Sequence, residues 1–88
     1  MPTLNALRKY LADHGCVEER VLRVPQRGTI FIQWLCRMKK GTMCRAVLAM
    51  DGAGGQVPLG AMTEVGRRLA PCLGRGWITS IPEEDPFG

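Results

Sequence analysis

The sequence predicts one small α+β domain of order α-β-β-β-α-(β), an antiparallel sheet with its helices packed on one face. Three observations point that way. Leu4, Leu7 and Leu11, and later Met62, Val65 and Leu69, recur at i, i+3 and i+7, the spacing of a single helical face. Between these segments, residues 29–50 read TIFIQWLCRMKKGTMCRAVLAM, two β-rich runs on either side of a Lys-Lys-Gly turn. Turn-forming residues at 25–28 and glycines at 52, 54 and 55 bound those runs. The chain of 88 residues is long enough for one modest core, and 45% apolar with 23% charged residues is globular composition.

The first helix takes Thr3 as its N-cap and ends at Asp13-His14-Gly15, where Gly15 suits a left-handed C′ position. Residues Cys16–Val24, CVEERVLRV, read as a strand that alternates poorly. Its Glu18, Glu19, Arg20 and Arg23 suit a sheet edge, where charge discourages stray pairing. Pro25-Gln26-Arg27-Gly28 is turn chemistry, with proline presetting the first corner and glycine tolerating a left-handed exit.

The hairpin that follows allows two turn lengths, and side-chain polarity chooses between them. A two-residue turn at Lys40-Gly41 would put Arg45 on the same face as Trp34 and Cys36. A three-residue loop, Lys39-Lys40-Gly41 with Gly41 left-handed in a G1 bulge, sets Met38 opposite Thr42. One face is then wholly apolar: Ile30, Ile32, Trp34, Cys36 and Met38 with Cys44, Ala46, Leu48 and Met50. The other mixes Phe31, Gln33, Leu35 and Arg37 with Met43, Arg45, Val47 and Ala49. The three-residue loop is therefore the predicted one.

In that register Cys36 faces Cys44 at a hydrogen-bonded pair, with Cα atoms about 5.5 Å apart. Such pairs splay their side chains, and nothing in the sequence points to secretion, so the expectation is buried free thiols at Cys16, Cys36, Cys44 and Cys72. The cysteines show no zinc-site spacing, and His14 is the only histidine. The glycines at 52–55 match neither phosphate-loop pattern and predict a plain mobile turn.

Gln56-Val57-Pro58-Leu59 leads into the second helix, which Gly66 weakens and Pro71 should end or kink. Residues 77–81, WITSI, read as a short final strand. The domain is expected to span residues 1–82, and residues 83–88 to form an acidic mobile tail. No apolar run approaches the ~18–20 residues of a membrane span. Residues 1–15 lack the basic start and apolar core of a signal peptide, which predicts a soluble, cytoplasmic protein.

Residues 1–82 hold all 12 Lys and Arg against five acids, a body charge of +7, while Glu83, Glu84 and Asp85 sit in the tail. A basic body suggests an acidic macromolecular partner. The face outside the core names the residues that would meet one: Phe31, Gln33, Leu35, Arg37, Met43 and Arg45. Those residues predict a small non-catalytic binding protein, of the stand-alone accessory or inhibitor kind carried by phages and mobile elements. It would dock on a protein or ribonucleoprotein, or pair with a second copy through the open sheet face. No acid–base, nucleophile, metal or cofactor constellation is present to predict an enzyme.

The α-β-β-β-α order also resembles two nucleic-acid-linked families. Double-stranded-RNA-binding domains open their second helix with a Lys-rich run, where this chain has GAMTEVGRR with Arg67 and Arg68 late. HicA-type mRNA interferases are similar in order, and Gln56-Val57-Pro58 resembles the stretch before their last helix. Their sheet histidine has no counterpart in residues 29–33, so the resemblance implies binding without cleavage. The alternative reading is thus an RNA- or DNA-binding domain using Arg37, Lys39, Lys40, Arg45, Arg67 and Arg68 on phosphates.

Overall fold

The computed structural model describes residues 2–52 and 55–82. Helix α1 spans Leu4–Asp13, strands β1, β2 and β3 span Cys16–Val24, Thr29–Arg37 and Met43–Asp51, and helix α2 spans Leu59–Leu73. The three strands form one antiparallel sheet in the order β1-β2-β3. Both helices lie on the same side of it, α1 against β1 and α2 along β3. This is the predicted α+β class and order as far as α2. The tail expected at residues 83–88 and part of the glycine turn, residues 53 and 54, lie outside the described residues.

Local chemistry sets the first elements. Thr3 Oγ1 accepts the Ala6 amide at 3.1 Å, and Gly15 turns out of the helix at φ +82°. Residues just before each helix are tied together: Thr3 bridges Gln56, and the Val57 amide donates to the Pro2 carbonyl at 3.0 Å. Leu4, Leu7 and Leu11 of α1 meet Met62, Val65 and Leu69 of α2 in one core over the sheet. Arg8 of α1 also grips Glu18 of β1 through two hydrogen bonds of 2.6 and 2.7 Å.

The hairpin register is as predicted. Pairs run from Arg37↔Met43 to Thr29↔Asp51 without a break. The Met38 amide donates to Thr42, and the Gly41 amide donates back to Met38, both at 2.9 Å. Gly41 sits at φ +87°, the left-handed position the loop requires. The predicted apolar face is the core face, with Trp34 at its centre, fully buried. Burying each large side chain there contributes ~1.5–3 kcal/mol. The Trp34 indole N–H finds no acceptor among the described residues.

Strand β1 explains its own poor alternation. Its pairing with β2 shifts between Glu18↔Trp34 and Arg20↔Gln33, so Glu19 is the extra residue of a β-bulge. Cys16 and Val21 therefore take the helix side, while Val17 and Leu22 take the other. Odd separations such as these share a face only when an extra residue intervenes.

The cysteines correct one expectation. They are not free thiols: Cys16 is bonded to Cys36 and Cys44 to Cys72. A residue in a central antiparallel strand points both backbone groups at one neighbour. Cys36 points its pair at Cys44, so toward Cys16 it occupies the non-hydrogen-bonded site, where side chains are closer. The Cys16 and Cys36 Cα atoms are 4.2 Å apart. Cys44 is left to meet Cys72, which α2 brings down over β3.

Two further expectations change at the C-terminal side. Pro71 does not end α2, because it lies in the last turn and removes only the amide that would bond Arg67. The Gly74 amide closes the helix on Ala70 at 2.8 Å. Residues 77–81 do not form a strand; Trp77–Ser80 coil into a 3-10 turn. Gly76, at φ +71°, turns the chain back, and the Thr79 and Ile81 amides bond locally to Gly76 and Ile78. Trp77 is buried against α2, donating its indole N–H to the Gly66 carbonyl at 3.0 Å. Gly66 is not merely a weak spot in the helix, since a Cβ there would overlap the Ile78 side chain.

Candidate partner-binding face

With both helices on one side, the other side of the sheet has no covering layer among the described residues. Strand β2 presents Phe31, Gln33, Leu35 and Arg37 there, and β3 presents Met43, Arg45, Val47 and Ala49. The bulged β1 adds Val17 and Leu22, paired with Leu35 and Phe31. Val17, Leu22, Met43 and Val47 are all more than half exposed, and Phe31 is 37% exposed. Leu35 differs: on the central strand between Val17 and Arg45, it is only 8% exposed and forms the floor of the face.

A polar bridge crosses the middle. Glu19, the bulge residue, accepts from Arg45 Nε at 3.2 Å and from Gln33 Nε2 at 2.7 Å, linking all three strands. The Arg45 hydrogen bonds, then that from Gln33, hold the Glu19 carboxyl below the usual carboxylate range. Beside this bridge, Arg20, Leu22, Phe31, Gln33 and Val47 line a shallow depression of about 170 Å³. A second, of about 440 Å³, runs around the outer edge of β3. It is lined by Arg45, Ala46 and Val47 below and by Glu64 and Arg68 of α2 above.

Of the six predicted partner residues, the structure gathers all on this face, with Leu35 contributing little surface. The six basic residues do not gather in the same way. Lys39 and Lys40 are exposed at the hairpin tip, with Arg37 just below them. Arg45 is joined to Glu19, while Arg67 and Arg68 belong to α2, where both bond Glu64 at 2.9 and 2.8 Å. Those two hydrogen bonds, Arg68 first, lower the Glu64 pKa. Arg45 and Arg68 line one depression together.

Sequence reasoning missed Val17, Glu19 and Leu22 as members of the face. The five-residue spacing from Val17 to Leu22 was the signal, and it is legible only to a reader who allows for a bulge. His14 lies away from the face at the end of α1, stacked on Tyr10 with ring centroids 3.9 Å apart. No cluster of three or more His, Cys, Asp or Glu among the described residues is placed to hold a metal ion. No described helix is long and apolar enough to cross a membrane. No protein-family model, curated protein or solved structure matches this chain.

Proposed function

We propose that this protein is a small non-catalytic binding module that docks on a protein, or on the protein part of a ribonucleoprotein, through the open face of its sheet. The observation that carries the reading is the grouping of Val17, Leu22, Phe31, Met43 and Val47, all exposed, on one uncovered surface. Scattered surface apolar residues need no explanation, whereas Leu22, Phe31 and Val47 gather around one depression, and a grouped apolar surface marks an interface. The Glu19–Arg45–Gln33 bridge supports this further, since it fixes polar groups at the centre of the patch before any partner arrives.

Phosphate binding is the less favoured reading, because Arg45, Arg67 and Arg68 already have carboxylate partners. The expected cytoplasmic setting would bear on the fold: disulfides persist in oxidising surroundings, and a reducing cytosol would open both.

Capture from lysate followed by affinity measurement tests the reading. Replacing Phe31 by Ala and Leu22 by Ser should weaken the captured complex by roughly 10-fold or more while circular dichroism stays unchanged. Affinity should move little with salt. A fall of ~10³-fold between about 50 and 200 mM salt, with no loss from the two substitutions, would replace this reading with phosphate binding.

A further inference from the structure

Among the described residues neither edge of the three-stranded sheet has a strand partner, and the two edges differ. The β1 edge is bulged at Glu19 and carries Glu18, Arg20 and Arg23, devices that discourage pairing. The β3 edge has no bulge. Its nine residues, MCRAVLAMD, hold an unbroken register with β2 and contain no proline, glycine or lysine. Only Arg45 and Asp51 are charged.

The backbone phase of β3 follows from the hairpin. Met38 and Thr42 are hydrogen-bonded, so Cys44, Ala46, Leu48 and Met50 exchange bonds with β2. Arg45, Val47 and Ala49 then direct their N–H and C=O groups outward, and all three residues are exposed. Helix α2 does not close this edge, since the 440 Å³ depression passes between it and the strand.

The strand that borders that depression carries opposite charges toward its two ends. On the open face Arg45 lies near one end of the strand and Asp51 at the other. On the helix, Glu64 and Arg68 lie one turn apart and line the same depression. A reversed copy of the strand sets Arg45 against Asp51, exchanging their exposed within-chain partners Glu19 and Thr29 for each other across the axis.

We propose that β3 pairs antiparallel with β3 of a second copy, forming a continuous six-stranded sheet about a twofold axis at Leu48. Arg45 then lies opposite Asp51 of the second copy and Val47 opposite Ala49 of the second copy, with hydrogen bonds made by the outward backbone groups. The two open faces become one surface of twice the area. This goes beyond the docking reading and stands or falls separately, because the edge contacts do not use Leu22 or Phe31.

Sedimentation equilibrium of the oxidised chain, from about 1 μM to 1 mM, reads the association. The expected result is a concentration-dependent rise from 9.7 kDa to twice that mass. Arg45→Asp alone and Asp51→Arg alone should each weaken association by about 10-fold, since each change acts twice across a twofold axis. The double exchange should restore it. Phe31→Ala should leave it unchanged. Amide exchange gives a reading free of substitutions: the Val47 and Ala49 amides should be protected at high concentration and exchange fast at low concentration. A monomer across the whole range overturns the proposal. So does a dimer that the double exchange fails to restore, or one that Phe31→Ala disrupts.

Discussion

Glu19 shows how much one extra residue can do. Inserted into β1, it breaks the strand's alternation, turns Val17 and Leu22 to the open face, and reaches both Gln33 and Arg45. Its carboxyl titrates below its ordinary range in the folded chain, whereas in the unfolded chain it returns to about 4.3. The unfolded state therefore takes up the proton first as acid is added. The stabilisation is fully present above about pH 4.3 and fades as pH falls toward the folded value. Wild type should thus have a higher urea midpoint than Glu19→Gln at pH 7, with the gap closing below about pH 4. A gap that stays constant with pH would mean that the bridge contributes nothing through its charge.

The hairpin is the element whose structure follows most directly from its residues. Gly41 at φ +87° has open space where a Cβ would go, so Gly41→Ala costs backbone strain alone, ~1 kcal/mol, readable as a lower thermal midpoint. The register of β2 and β3 was legible because Arg37 and Arg45 mark the solvent side and six of the core positions are large or branched. The bounds and edge position of β1 were legible too, but not which of its side chains face the core, because a bulge leaves no composition signature beyond a failed period. Residues 77–81 carry strand-like side chains, yet the glycines at 74 and 76 let them curl onto α2, and burial there outweighs strand propensity. The cysteine pairing was hidden for a related reason. It depends on which face Cys16 takes and how far α2 extends past Pro71, both of which are tertiary facts.

At the scale of the molecule, the two disulfides fasten different layers. Cys16–Cys36 joins strands within the sheet, and Cys44–Cys72 joins α2 to the sheet. Helix α2 needs the help, since it contains Gly60, Gly66 and Pro71 and has no side-chain N-cap. With sequence separations of 20 and 28 residues, each bond contributes ~3 kcal/mol by chain entropy. That is a large part of the total for a domain of this size, ~0.05–0.15 kcal/mol per residue. Cys44→Ala/Cys72→Ala should lower the denaturation midpoint and speed amide exchange throughout α2, whereas Cys16→Ala/Cys36→Ala should lower the midpoint but spare α2. Equal exchange in α2 for both variants would show that packing alone holds that helix.

The two covalent loops follow one another along the chain and do not interlock. Cys36 and Cys44, only eight residues apart, are set opposite each other by the hairpin register itself, whereas Cys72 reaches Cys44 only once α2 has docked on the sheet. A hairpin forms in ~1–10 μs and a disulfide in seconds or longer, so the outcome depends on when the oxidant arrives. Late oxidation finds all three strands assembled, with Cys16 at the closer site. Early oxidation finds a hairpin alone and can lock the wrong couple, which peptide mapping of the first crosslink would reveal. If the first crosslink is Cys36–Cys44, timing as well as geometry selects the native pairing.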